Sequence, residues 1–407
     1  MSLGWSRASR GRLSVSVSAS LADADLVILG AGCAGLTLAA RLAQSRSPLR
    51  VELIEPRTEY EDDRSWCFWR PEQHDLSDLV SHSWDSWRFS AATGAPVHHR
   101  VEGLRYQYLR GSDFYARARE RIDAVATIHT RAGVHATGLT SLGDAAGGVV
   151  RVETDRGSIL ARHVIDTRPR AMAAVLYQSF SGVEIESEDP LPFDSQEVGL
   201  MDSMATDAGG MHFRYTLPLG RTRALVEWTR FSTVPVPAAT LSAELDLELD
   251  RLGVAGARII RREGGILPMG SFDGIADGPR GVVYAGNSGG ALRAASGYAF
   301  LRIQNWARAC AESLDRGDAP IGHPAEPFLR RSMDRIFLQA VRADLERTPE
   351  YFMALARGVP APGLVRFLSD AARLTDYARL IASLPTVPFL RQLAPRPSPA
   401  KRDLVRT

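Results

Sequence analysis

Asp25-Leu26-Val27-Ile28-Leu29-Gly30-Ala31-Gly32-Cys33-Ala34-Gly35 is the stretch on which the fold turns. Residues 25–30 form a short apolar run and read as a buried parallel strand. Residues 36–44 read as a helix, and Val51-Glu52-Leu53-Ile54 as a second strand, which together make one βαβ unit. Between the first strand and the helix stands the pattern G-x-G-x-x-G. Gly30 permits the tight turn, Gly32 lets the backbone approach a pyrophosphate, and Gly35 lets helix and strand pack closely. The N–H groups and positive dipole end of the helix N-terminus complete a phosphate site. Glu55 follows Gly35 by 20 residues and ends the second strand, where an acid binds ribose hydroxyls. Arg57 comes next, either reaching the adenosine side or standing as a solvated loop charge.

Working outward, the motif lies near the start of 407 residues. Flavoproteins of this plan return late in the chain to cover the flavin with a glycine-rich turn. Gly286-Asn287-Ser288-Gly289-Gly290 follows a strand-like Gly281–Ala285 and precedes a helix-like 297–309. The expected cofactor is therefore FAD, and no second G-x-G-x-x-G marks a nicotinamide site.

Between these parts, residues 60–125 are mixed and aromatic-rich, and 127–165 alternate as a strand meander with a turn at Gly147-Gly148. Residues 190–235 read as strands. Phe213, Tyr215 and Leu217 alternate, Leu219–Thr222 turns, and Arg223 to Phe231 return, which is a β-hairpin. Glycine-rich segments recur at 263–274 and 286–297. From Phe328 apolar residues fall at helical spacing, up to a stop at Thr348-Pro349, and Leu364 to Ile381 mark a second amphipathic helix. The sequence thus predicts an α/β protein. A discontinuous Rossmann-like FAD-binding domain covers 23–170 and 275–325, an interleaved β-sheet substrate domain 171–274, and a C-terminal helical region 326–393. A disordered extension precedes them at 1–22, and a basic tail follows at 394–407.

Composition narrows the chemistry. Hydrophobic residues at 45% and charged residues at 24% suit a globular protein. The net charge of +2 gives no reason to expect nucleic acid. Lys401 is the only lysine among 49 basic residues. A lone lysine in a polar tail serves neither a P-loop nor a Schiff base. Cys33, Cys67 and Cys310 are odd in number and far apart, so neither a disulfide framework nor a metal site is expected. The longest apolar stretch, between Asp25 and Arg41, is short of the ~18 residues of a membrane span. The seven Ser and three Arg of the first 22 residues resemble a transit peptide, but the preferred reading is a disordered extension.

Trp66-Cys67-Phe68-Trp69, Val164–Arg168, Met201-Asp202, Phe213–Leu219, Glu263–Pro268 and Leu384–Phe389 follow in order along the chain, and together they resemble the motifs of the bacterial lycopene cyclases. Trp66-Cys67-Phe68-Trp69 is similar to the family's Trp-x-Phe-Trp. Val164–Arg168, which includes Asp166, resembles its second flavin strand, and Met201-Asp202 its Met-Asp pair. Phe213–Leu219 matches Phe-x-Tyr-x-Leu-Pro-Leu, Glu263–Pro268 matches Glu-x-Gly-x-x-Pro, and Leu384–Phe389 matches Leu-Pro-x-x-Pro-Phe. The family's acid motif, Phe/Leu-x-Glu-Asp/Glu-Thr, falls on Leu225-Val226-Glu227-Trp228-Thr229. Glu227 takes the first acid, and Trp228 departs from the second. In a strand, Leu225, Glu227 and Thr229 share one face, while Val226, Trp228 and Arg230 take the other.

The resemblance implies an isomerase, a lycopene β-cyclase closing the end rings of lycopene or a related acyclic carotenoid. It implies reduced FAD without net redox change, with NAD(P)H as the expected electron donor. A proton adds to the terminal double bond, the neighbouring double bond attacks the cation, and a proton leaves. Glu227 is the expected acid, against the alternative of an exposed edge-strand glutamate. Asp202 supports it or takes the final proton, unless it is a turn acid. Trp66, Trp69, Tyr215, Trp228 and Tyr298 offer aromatic faces to the cation, or simply core packing. Glu263 holds a loop against the flavin, and Asp166 is either a flavin-strand acid or an ordinary strand end. The expected location is cytoplasmic, with the C-terminal helices and basic tail on the inner face of the membrane. The sequence leaves open two alternatives: a redox flavoenzyme of the same fold (an aromatic hydroxylase or isoprenoid double-bond reductase), and a carotenoid carrier without activity.

Overall fold

The computed structural model describes residues 22–142, 148–172, 174–270 and 278–393. β1 (Ala24–Leu29) is buried except at Asp25 and leads through the glycine loop into α1 (Cys33–Ser45). β2 (Val51–Glu55) lies parallel to β1, with Leu26 opposite Val51 and Ile28 opposite Leu53. An aromatic-rich stretch follows, with β3 (Ser65–Arg70), β4 (Val80–Trp84), β5 (Ser86–Ala91), β6 (Val97–Arg100) and β7 (Arg105–Arg110). α2 (Gly111–Asp123) and β8 (Ile128–Ala132) bring the chain back beside β2. β9 (Ala136–Leu142), β10 (Val149–Thr154) and β11 (Gly157–Asp166) form the expected meander, and the end of β11 runs parallel to β1.

The chain then builds a second sheet from β12 (Leu176–Glu186), β13 (Glu197–Asp207), β14 (Gly210–Pro218) and β15 (Arg223–Ser232). α3 (Ala238–Arg251) crosses its outer face, and β16 (Arg258–Met269) adds an edge. β17 (Val282–Tyr284) returns to β11, and α4 (Phe300–Asp315) packs against α1. The chain closes with α5 (Phe328–Ala343), α6 (Thr348–Gly358), α7 (Ala361–Leu368), α8 (Leu374–Ser383) and α9 (Thr386–Leu390).

The first sheet has the order β8-β2-β1-β11-β10-β9, with β17 beside β11. The second has the order β16-β12-β15-β14-β13-β5-β6, and β3-β7-β4 is a small third sheet. One core lies between the first sheet and α1, α2 and α4. Another joins the second and third sheets to the C-terminal helices, where Trp84, Trp87, Tyr106 and Tyr108 are at most 2% exposed. Rings of this size are large contributors to core burial, removing ~150–250 Å² each.

The α/β architecture and the 213–231 hairpin are as the alternation predicts, and several boundaries differ. β5 and β6 come from the stretch expected to belong wholly to the FAD-binding domain, yet they extend the second sheet. β12 precedes the expected strand region, and Glu263–Met269 is strand rather than a glycine-rich loop. Thr348-Pro349 does not stop a helix but opens α6, where proline costs no backbone hydrogen bond. The expected second C-terminal helix, Leu364 to Ile381, is divided between α7 and α8. Gly147, residues 271–277 with the expected 274/275 boundary, the 1–21 extension and the 394–407 tail lie outside the described residues.

Candidate active site

Gly30 has φ +88°, a region open to glycine at little cost. A Cβ on Gly35 would stand 1.9 Å from the Gly30 carbonyl oxygen, so only glycine lets α1 approach the loop this closely. A Cβ on Gly32 would meet nothing within 4 Å, which leaves open space in front of the α1 N-terminus. That terminus has no side-chain cap, so its first N–H groups are available to a ligand. Glu55 closes the cradle: its Oε2 accepts the Ala31 N–H at 2.6 Å and its Oε1 accepts Arg57 Nε–H at 2.8 Å. Burial raises the Glu55 pKa, but the Arg57 and Ala31 hydrogen bonds outweigh it and hold the carboxyl below its ordinary range. The Arg57 guanidinium lies 4.6 Å above the Tyr60 ring and borders the cavity, with its side chain still 40% exposed.

The late glycine turn meets this loop. Gly286, at φ +71°, borders the cavity together with Asn287 and Ser288. Gly289 and Gly290 do not line it. A Cβ on Gly289 would stand 2.5 Å from the Tyr284 carbonyl carbon, and Gly290 has φ +105°, so these two shape the turn. Asp166 is likewise behind the wall, where its Oδ2 accepts Arg168 Nη2–H at 2.7 Å while Arg168 lines the cavity. Open space, uncapped N–H groups, an acid at the strand end and a second glycine turn together fit an adenine dinucleotide.

From the cradle a cavity of about 1370 Å³ runs along the second sheet to the C-terminal helices. Trp66, Tyr215 and Tyr298 line it. Trp66 stacks on Phe300 at 5.2 Å, and the Tyr215 and Tyr106 hydroxyls are 3.0 Å apart. Trp69 stands one layer back, 4.6 Å from the Tyr106 ring and 5.8 Å from Tyr298. Trp228 is not a lining residue. It packs with Val226, Leu241 and Leu245 under α3, and its Nε1–H donates to Glu244 at 2.8 Å.

The hairpin register explains this division. Tyr215 stands opposite Glu227, and Arg214 opposite Trp228; directly opposed residues share a face. Glu227 therefore faces the cavity, as the alternation predicts. Asp202 pairs with Arg214 across the next strand and belongs to the Trp228 face, so the expected cooperation with Glu227 does not occur. Its Oδ2 accepts Arg88 Nη2–H at 2.6 Å and Arg214 Nη2–H at 3.3 Å, and its Oδ1 accepts the Ser90 hydroxyl at 2.9 Å. Burial raises the Asp202 pKa, but the Arg88 hydrogen bonds and both arginine charges hold it below the ordinary range. It is an ionised structural acid.

Glu227 is in the opposite state. Among the described residues no hydrogen bond or ion pair reaches its carboxyl, and its remaining accessible surface faces the cavity. Burial pushes its pKa well above the carboxylate range, the neighbouring Glu263 charge adds to this, and only Arg261 opposes it. Sequence reasoning missed the meeting of Glu227 and Glu263. Gly182 of β12 is opposite Glu227 on one side and Glu263 on the other. A Cβ on Gly182 would lie 2.6 Å from Glu227 Cγ and 3.3 Å from Glu263 Cγ. The sequence carries no sign of this pairing, because β12 joins strands 36 residues apart.

Residues 25–394 match the lycopene cyclase protein family. The chain is 27% identical to the lycopene beta-cyclase of Pseudescherichia vulneris, over 90% of this chain and 95% of that protein. It is also 27% identical to the lycopene beta-cyclase of Pantoea ananas, over 91% and 97%. By fold it is similar to a geranylgeranyl bacteriochlorophyll reductase-like protein from Thermoplasma acidophilum, with a TM-score of 0.54 and 13% identity over 91% of this chain and 95% of that one. A probable FAD-dependent monooxygenase from Pseudomonas aeruginosa gives a TM-score of 0.53 and 14% identity over 86% and 99%. With the match running from β1 to the last described helix, this chain belongs to the lycopene cyclase family.

Proposed function

We propose that the protein is a lycopene β-cyclase, an isomerase that closes the end rings of lycopene or a related acyclic carotenoid by acid–base chemistry. The observation that carries this reading is Glu227, a carboxyl on the wall of an apolar cavity that no hydrogen bond or ion pair reaches among the described residues. Such a group keeps its proton and can give it to an alkene. The Glu227 O–H adds its proton to the terminal double bond, and the neighbouring double bond attacks the tertiary cation. The Glu227 carboxylate then takes the proton that leaves the ring, which restores the acid. Trp66, Tyr215 and Tyr298 turn aromatic surfaces to the cation, each contact giving ~0.5–2 kcal/mol. The cradle of Gly30, Gly32, Glu55, Arg57 and Gly286 would hold FAD. When bound and reduced, FAD supplies negative charge beside the cation and is not consumed. NAD(P)H is the proposed source of electrons.

The substrate is a hydrocarbon that dissolves in lipid. Ile381, Leu390 and Leu393 both line the cavity and are 56–60% exposed, with Leu374 and Val387 exposed nearby. Arg373, Arg379 and Arg391 stand exposed on the same helices. This rim suits peripheral contact with an anionic bilayer, from which the chain end enters the cavity. Among the described residues no helix is long and apolar enough to cross a membrane.

Expression in a lycopene-accumulating bacterium, followed by pigment and mass analysis, tests the reading. Cyclic products of unchanged mass are expected. A gain of oxygen or hydrogen would make the protein a redox flavoenzyme of this fold instead.

A further inference from the structure

Glu263 lies in a cluster that the cyclisation does not explain. Its Oε2 accepts the Arg261 Nη1–H at 2.8 Å and the Ser65 hydroxyl at 2.8 Å. Arg261, 7% exposed, also donates to Glu184 at 2.7 Å and stands 3.4 Å from Asp62. Arg110 binds Asp62, and Arg223 binds Glu184. Three arginines thus meet three acids. The cluster is electrically neutral only if Glu263 is ionised, and buried charges persist where they are paired. Glu227 stands directly outside it, across Gly182, which carries no side chain to separate the two carboxyls.

We propose that Glu263 is a positioning residue for the cyclisation: ionised and anchored by Arg261 and Ser65, it keeps the transferable proton of the carboxyl pair on Glu227. This rests on the reading of Glu227 as the proton donor. Burial raises the pKa of both carboxyls, but at Glu263 the Arg261 charge and the hydrogen bonds from Arg261 and Ser65 oppose the rise, whereas at Glu227 the Arg261 charge alone opposes it. Two carboxylates this close do not both ionise readily, so the unanchored Glu227 holds the proton. The remaining groups around Glu227 do not supply an alternative. Tyr215 on β14 and Cys67 on β3 are half-buried on the cavity wall, and desolvation holds their protons far into the alkaline range. Arg261 on β16 opposes Glu263 but is shared with Glu184 and Asp62. Arg64, ahead of β3, donates instead to the Asp63 and Gly264 carbonyls. During turnover Glu227 gives its proton and regains one, while Glu263 remains ionised, so the pair completes each cycle with the charge it began with.

The test is the pH dependence of kcat in the full-length, FAD-loaded protein with Glu263→Gln. Activity needs the protonated Glu227, so it is present at low pH and lost on the alkaline side. Without the Glu263 charge that loss should begin about one pH unit or more lower. The acid-side plateau and bound FAD should be retained, and Glu263→Asp should restore the wild-type limb. A limb that does not move, or moves upward, in Glu263→Gln overturns the proposal. If Glu263→Gln does not fold, infrared spectroscopy of the wild type decides. A protonated-carboxyl stretch at neutral pH that vanishes in Glu227→Gln supports the assignment. One that survives Glu227→Gln and shifts in Glu263→Asp overturns it. An active, FAD-loaded Glu227→Gln would defeat the reading of the acid itself. An inactive Glu227→Gln with an unmoved Glu263→Gln limb would defeat only the role of Glu263.

Discussion

The two faces of the second sheet treat their acids in opposite ways. Under α3, Asp202 is held by Arg88, Arg214 and Ser90, and Arg214 is held in turn by Glu248 at 2.6 Å. On the cavity face, Glu227 has no such partner among the described residues, and another acid, Glu263, is the larger of the two charges acting on it. Both acids are shielded by the same sheet. What differs is the arginine supply, which holds the Asp202 pKa down and leaves that of Glu227 raised. Burial alone therefore does not define a catalytic acid; burial without a cation does.

Substitutions on each face should break this contrast in different observables. The largest effect is expected for Glu227→Gln, which keeps the shape and removes the proton. Cyclisation measured by pigment analysis should fall by ~10²–10⁴, with flavin absorbance and thermal unfolding unchanged. Near-normal cyclisation would mean that the two faces do not divide the labour in this way. Asp202→Asn should act the other way round. Arg88 and Arg214 each lose one of two acidic partners, Glu197 and Glu248 remaining, a loss of about 1–3 kcal/mol in chemical denaturation, while the folded fraction still cyclises with an unmoved pH profile. The sign follows from the lowered Asp202 pKa. Its stabilisation is present above the unfolded carboxyl value and fades as pH falls through the folded one, so the variant should lose the acid-side slope of stability that the wild type shows. A fall in cyclisation matching that of Glu227→Gln would return Asp202 to the reaction. The smallest effect is expected for Trp228→Phe, which removes the hydrogen bond to Glu244. It should cost about 1–3 kcal/mol of stability and leave cyclisation intact. A selective loss of activity would put the indole in the substrate's path, against its place under α3.

The dinucleotide cradle was legible because it is local. Gly30, Gly32, Gly35 and Glu55 act within one strand–helix–strand unit, and their spacing alone places them around one phosphate site. The cavity face of Glu227 was legible for a similar reason, since strand alternation is a property of neighbouring residues. α3 could also have been found: Leu241, Leu245 and Leu249 repeat at intervals of four and form its buried stripe. The aromatic stretch before α2 was not legible as part of the second sheet, because β5 pairs with β13 about a hundred residues later. The roles expected of Trp228 and Asp202 failed on the same point, since a family motif names a residue without saying what packs on its side of the sheet.

What the residues decided unaided were the α/β class, the cofactor cradle, the hairpin and the face that Glu227 presents. Each depends on backbone periodicity or on glycine at a fixed short spacing, and these act through interactions between near neighbours. Tertiary structure alone decided which carboxyls meet cations. It brought Arg88 from β5 to Asp202, and Arg261 from β16 to Glu263. It also set Glu227 beside Glu263 across Gly182 with no cation of its own. The charge on a buried carboxyl depends on what stands within a few ångströms in space, and those neighbours come from strands far apart in the chain.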